Sequence, residues 1–226
     1  RKRTVHQIRQ TFYWEGMRGD IDRWIRSCMA CRRRKTPRPL RAGITTPRQA
    51  TYPNEVLAID IFGPMHKSTE NHLWIITMMD QFTRWPVAIP IKDRTSDSVA
   101  NAIFTHWICE KGVPTRIISD RGKELISESI KRLCSKLGIT KVATGGYNPT
   151  GNSTVERFHR YLGASMCIVY EKRIANWQEY LPPILFSYRA SVNDSTGFTP
   201  FLLEHGREPQ LPLQSLFPFM QRSEEA

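Results

Sequence analysis

The sequence predicts an α/β protein: a mixed five-stranded sheet flanked by helices, preceded by a small helical module. Three observations lead there. Three β-rich runs follow one another closely between residues 56 and 91, and helix and strand patterns alternate from there to residue 143. The charge is also segregated. Residues 1–52 carry fourteen Lys or Arg against Glu15, Asp20 and Asp22, whereas residues 53–226 are nearly neutral.

In order, residues 4–15 and 17–27 read as two short helices split by Gly16, with Trp14, Ile21, Trp24 and Ile25 as apolar faces. Cys28-x-x-Cys31 and the basic run Arg32–Lys35 follow, then a proline-rich linker up to Pro53. Val56–Phe62, Leu73–Met79 and Trp85–Ile91 are spaced as an antiparallel meander. Residues 96–110 have helical periodicity through Val99, Ile103, Phe104 and Trp107. Arg116–Asp120 is a fourth strand and Ile139–Ala143 a fifth, with a helix over Glu124–Leu137 between them. A loop rich in Gly, Asn and Pro spans 145–153, and helices are expected over 154–172 and 177–191. The domains expected are a module at 1–36, a linker at 37–53, a core at 54–213 and a tail at 214–226.

A net charge of +12 on 226 residues points to a polyanionic partner such as nucleic acid. No apolar run approaches the ~20 residues that span a bilayer, and Arg1-Lys2-Arg3 precedes no signal core. Neither a membrane nor a secreted role is expected. The five cysteines are then expected to be reduced, and Cys109, Cys134 and Cys167, which fall in apolar helical patterns, are expected in the core.

Two acids sit where chemistry would want them. Asp60 lies inside an apolar strand, where an ionised carboxylate needs a partner or a metal, and Asp120 ends another strand. Glu156 opens the helix after the flexible loop. Taken singly, these are also what solvated strand ends and helix-dipole compensation look like. Together they can converge at one sheet edge, where three carboxylates suit hard divalent cations.

At these residues the chain resembles the retroviral and retrotransposon integrases, whose Asp-Asp-Glu triad Asp60, Asp120 and Glu156 match. The neighbouring words agree: Ile118-Ser119-Asp120-Arg121-Gly122, and Tyr147-Asn148-Pro149 before Val155-Glu156-Arg157. Phe12-Tyr13-Trp14 through Cys28-x-x-Cys31, and Thr199-Pro200-Phe201 to Gly206-Arg207-Glu208-Pro209, resemble the gypsy-type long-terminal-repeat branch.

The resemblance implies a ribonuclease-H-like core acting as a polynucleotidyl transferase with two Mg²⁺ or Mn²⁺ ions. Asp60 would bridge both ions, Asp120 serving one and Glu156 the other. Water would free a 3′-hydroxyl at the end of the element's DNA, and that hydroxyl would attack target DNA in line. Double-stranded DNA, a homo-oligomer, a chromatin partner and a nuclear location follow from the same likeness. Asp80, which also ends a strand, is expected to be structural. His159 and Arg160, at i+3 and i+4 from Glu156, share a helix face that in the family meets the DNA end; a solvated surface is the alternative. Tyr147 and Asn148 are candidates for stacking on or touching that end, and Asn152 for contacting it. Arg121 and Lys123 would neutralise phosphate or be ordinary loop charges.

Cys28 and Cys31 offer two thiolates to a Zn²⁺ ion, which needs two more protein ligands. Family members draw these from paired histidines upstream of the Phe-Tyr-Trp segment, where this chain has only His6. The cysteines are thus expected to be half of a site in a chain that starts inside the module, with His6 an ordinary helix residue. The short C-terminal tail suggests a piece of a longer polyprotein or host protein. Two further readings stand beside the integrase. One is a host-captured integrase retained as a non-catalytic DNA-binding protein. The other is a ribonuclease H, which neither the late-helix glutamate nor the basic Cys-x-x-Cys module fits.

Overall fold

The computed structural model describes residues 2–28, 50–143, 153–171 and 175–212. They divide into two units, Ala42–Arg189 and a smaller one formed by Arg1–Arg41 with Ala190–Ala226. The segment from Ala190, expected at the end of the core, therefore groups with the N-terminal module, and Gln7 Nε2 donates to the Ala190 carbonyl within it.

In the smaller unit α1 (Lys2–Arg9) and α2 (Met17–Ser27) pack through Val5 and Ile8 against Met17, Ile21 and Ile25. The first helix stops well before residue 15. Thr11, Phe12 and Tyr13 are poor helix formers, and Gly16 turns the chain in the left-handed region at φ 76°. Trp24, expected on the apolar face, is 73% exposed. Its neighbour Ile25 takes the inward position, and Met17 completes the stripe at the spacing of a helix turn.

The larger unit begins with β1 (Val56–Phe62), β2 (Trp74–Asp80) and β3 (Pro86–Ile91) as an antiparallel meander. Next come α3 (Ser96–Ile103), extended by a π turn at Phe104–Ile108 and a last α turn at Cys109–Lys111, then β4 (Arg116–Ser119), α4 (Glu128–Lys136) and β5 (Thr140–Ala143). The unit closes with α5 (Ser153–Glu171), a 3₁₀ turn at Trp177–Tyr180 and α6 (Leu181–Arg189). The sheet order is β3-β2-β1-β4-β5, with β4 parallel to β1 and β5 parallel to β4. In the smaller unit α7 (Pro200–His205) is capped by Thr199, whose Oγ1 accepts from the Leu202 amide. No helix among the described residues is long and apolar enough to cross a membrane.

Val56–Ile59 are all buried because both faces of the sheet are covered. Ala58, Ile75, Met79 and Ala88 pack under the α5 stripe Val155, Phe158, Leu162, Met166 and Val169. Leu57, Ile59, Ile76 and Met78 alternate to the other face.

Three expectations yield to local chemistry. Phe104 and Cys109 are exposed rather than in the core. Val99, Ala102, Ile103 and Trp107 fill the inward side, and Cys109 lies roughly 200° beyond Trp107. The helix expected from Glu124 starts at Glu128, because the amides of Leu125 and Ile126 both turn back to the Gly122 carbonyl and Ser127 is extended. The helix expected over 177–191 is split, since Pro182 and Pro183 have no N–H to continue the ladder and suit a first turn.

Candidate active site

Asp60 follows Ala58 by two residues on β1 and so points to the same face, under α5. The parallel register pairs Ile59 with Ser119, so the next residues of the two strands, Asp60 and Asp120, are neighbours. Glu156 follows the buried Val155 in the first turn of α5. Sheet register and one helix thus bring the three acids of the expected triad to one edge.

The electrostatics agree. The Asp60 carboxyl is pushed up to about 6, first by burial and then by the negative charges of Asp120, Glu156 and Glu124. The Ile61 amide, donating to Oδ1 at 2.8 Å, opposes the shift. Asp120 and Glu156 are exposed. Asp120 Oδ1 accepts from the Gly122 amide at 3.0 Å. Lys141, its ammonium pushed down by burial, donates to Ser119 Oγ at 2.9 Å beside Asp120.

Glu124 was not expected here. It pairs with Arg94 at 3.5 Å and meets Asp120 across Gly122. A Cβ on that glycine would stand 3.1 Å from Asp120 Oδ1 and 3.4 Å from Glu124 Oε2. The signal available in the sequence was an acid four residues after Asp120, in a turn closed by a glycine.

His159 departs from its expected surface position. Its Nε2 lies 2.6 Å from Thr77 Oγ1, its Nδ1 lies 3.5 Å from Asp60 Oδ2, and its ring meets Phe62 edge-on. Burial pushes the imidazole down to about 4. The reason is angular: His159 follows the inward Phe158 by about 100° of helix, on the side where Asp60 of β1 and Thr77 of β2 lie opposite each other. Arg160, a further step round, is exposed as expected. Asp80 is structural: buried, it accepts from the Thr83 amide and hydroxyl and from the Asn54 amide. Cys28 ends α2; Cys31, Tyr147, Asn148 and Asn152 lie outside the described residues.

The donor chemistry fits hard divalent cations, because mutually repelling carboxylates at a solvent edge are relieved by positive charge. Among the described residues no three His, Cys, Asp or Glu side chains gather closely enough to hold one ion. Two ions sharing Asp60 would each need only a pair of these carboxylates.

Two family models match the chain, the integrase zinc binding domain at residues 1–37 and the integrase core domain at residues 50–149, together more than half of it. The chain belongs to the retroviral and retrotransposon integrase family. Gypsy retrotransposon integrase-like protein 1 of Bos taurus is 26% identical over 94% of this chain and 42% of its own length. The chain thus spans about two fifths of that curated relative. A chain of the simian T-cell lymphotropic virus intasome in complex with PP2A regulatory subunit B56 gamma superposes with a TM-score of 0.63. It is 24% identical, over 86% of this chain and 68% of that one. The HTLV-2 integrase catalytic core domain in complex with magnesium has a TM-score of 0.56 and 19% identity, over 70% of this chain and all of that one. These likenesses make the sheet and its helices a ribonuclease-H-like integrase core. Asp60 and Asp120 lie inside the matched core segment, and Glu156 lies seven residues beyond its end.

Proposed function

We propose that this integrase-family chain trims the 3′ ends of a mobile element's DNA and joins them to target DNA by phosphoryl transfer. One observation carries the reading: carboxylates from β1, the end of β4 and the start of α5 converge at one sheet edge, where burial first, and then the charges of Asp120 and Glu156, raise Asp60. The HTLV-2 core that shares the fold is described in complex with magnesium, and the same carboxylates here would hold two Mg²⁺ or Mn²⁺ ions. Bound there, the ions would lower the pKa of the attacking oxygen and stabilise the leaving alkoxide. Asp60 would be shared between them, Asp120 serving one and Glu156 the other.

The remaining work belongs to the chain. The sheet register holds Asp60 and Asp120 side by side, and α5 brings Glu156 to them. Arg160, exposed on that helix, would lie along the phosphate backbone of the DNA end. The basic N-terminal module would add non-specific affinity for double-stranded DNA, with Zn²⁺ at Cys28 and Cys31 once two further ligands join them. A homo-oligomer on paired DNA ends, working in the nucleus with a chromatin partner, completes the reading.

The test is strand transfer with cognate DNA ends and Mg²⁺, comparing the chain with Asp60→Asn, Asp120→Asn and Glu156→Gln. Each variant should stay folded and lose cleavage and joining. Near-normal joining by any of them would overturn the assignment, and DNA binding without joining by the unsubstituted chain would favour a host-captured, non-catalytic protein.

A further inference from the structure

The Thr77 hydroxyl has one proton, and Oγ1 donates it to the Asp60 carbonyl at 2.9 Å. The 2.6 Å contact between Oγ1 and His159 Nε2 then has the imidazole as donor. A ring that carries its proton on Nε2 leaves a lone pair on Nδ1 for a ligand. That lone pair faces Asp60 Oδ2 at 3.5 Å, longer than an ordinary N–H···O hydrogen bond. Two acceptors turned towards each other in a partly buried pocket call for a cation between them. Adjacent ligands of an octahedral ion with bonds of ~2.1 Å stand ~3.0 Å apart, so a side-chain shift of about half an ångström would bring the two acceptors onto one ion.

The helix adds a second argument. Glu156 and His159 form a Glu-x-x-His pair at i and i+3, the spacing by which one helix offers a carboxylate and an imidazole to a bundle-core metal. Asp60, His159 and Glu156 do not gather closely enough to hold an ion in the metal-free chain, so Glu156, exposed at the start of α5, would swing towards it on binding.

We propose that His159 Nδ1 is a ligand of the ion shared by Asp60 and Glu156, which makes this a mixed nitrogen–oxygen site with Thr77 fixing the imidazole tautomer. The proposal rests on the carboxylate reading of the site. Imidazole nitrogen favours the later first-row metals, so the site should bind Ni²⁺ or Zn²⁺ more tightly than an all-oxygen site would, relative to Mg²⁺. Thr77 acts through His159 as a positioning residue, and such partners change metal affinity about 10- to 100-fold.

The experiment is pulsed electron paramagnetic resonance on the whole chain with Mn²⁺ as the only added metal, prepared with natural and with ¹⁵N-labelled histidine. A directly bound histidine nitrogen should modulate the echo, and labelling should change that modulation without any substitution. The signal should vanish in His159→Gln and in Asp60→Asn, and Thr77→Val should weaken Mn²⁺ binding about 10-fold or more. Mn²⁺ bound in an Asp60-dependent way without a histidine nitrogen would overturn the ligand and leave the carboxylate site standing. A histidine signal that survives in folded His159→Gln would overturn it too. Mn²⁺ binding indifferent to Asp60→Asn would instead sink the carboxylate reading itself.

Discussion

Asp60 and His159 are neighbours whose proton affinities move in opposite directions. Asp60 rises from an ordinary 3.8 to about 6, so between those values the folded chain holds a proton that the unfolded chain has released. That contribution to stability falls as pH rises through the window, by on the order of 3 kcal/mol. His159 drops from 6.5 to about 4, so there the unfolded chain binds a proton that the folded one refuses, and stability rises with pH. The two slopes largely cancel between pH 4 and 6. Urea unfolding in metal-free buffer should expose each one separately. Relative to the parent, Asp60→Asn should gain stability with rising pH and be the more stable protein above pH 6. His159→Gln should lose stability over the same interval. Parallel pH curves for all three proteins would show that neither group is shifted.

At the scale of the element, α5 divides its sides between fold and chemistry. Val155, Phe158, Leu162, Met166 and Val169 bury one stripe on the sheet. Glu156, His159 and Gly163 run beside it at i, i+3 and i+7. Gly163 lets the helix pass close to Phe62, and a Cβ there would meet that ring at 3.4 Å, an ordinary contact. Glycine inside a helix costs roughly 0.5–1 kcal/mol against alanine. Gly163→Ala should therefore raise the melting temperature by a few degrees; a lower one would mean that Phe62 cannot yield. Arg160 is exposed and has no ion pair among the described residues. Arg160→Glu should weaken cognate DNA binding and lower joining, with Mn²⁺ affinity and melting temperature unchanged. Normal joining would show that the DNA lies elsewhere, and a loss of metal binding would make Arg160 a partner of the carboxylates.

Across the whole molecule, chemistry and charge occupy different parts of the chain. The acids of the site come from residues 60–156, in a segment with almost no net charge, while nearly all the positive excess lies before residue 53. Non-specific affinity for DNA scales with the phosphates neutralised, which the salt dependence reports. Replacing Arg32, Arg33, Arg34 and Lys35 by serine should reduce the slope of log K against log salt by up to ~3–4, with the core's melting behaviour unchanged. An unchanged slope would assign the basic run to another task.

Periodicity and composition alone were enough for the five strands, their meander-then-alternation order and the separate basic module, while the three acids, singled out by position, became a triad only through the resemblance to integrases. Each is a local property: an apolar run, a glycine or proline stop, an acid at a strand's end. Local signals also carry parity, which puts Asp60 on the face of Ala58. They do not say what covers that face. Asp60 and Thr77 are paired across two strands, and His159 reaches Thr77 from eighty-two residues away. Helical spacing alone therefore left His159 on an open surface with Arg160. Glu124 was missed for the same reason, because its place beside Asp120 depends on a turn around Gly122 that no period encodes. Phe104 and Cys109 failed because an apolar residue reads as core only until other side chains have filled the inward side of its helix. The residue types that could do the chemistry are written in the sequence. Which of them meet, and which nitrogen of His159 turns to Asp60, was decided by register and packing, because those contacts join segments whose separation along the chain carries no signal.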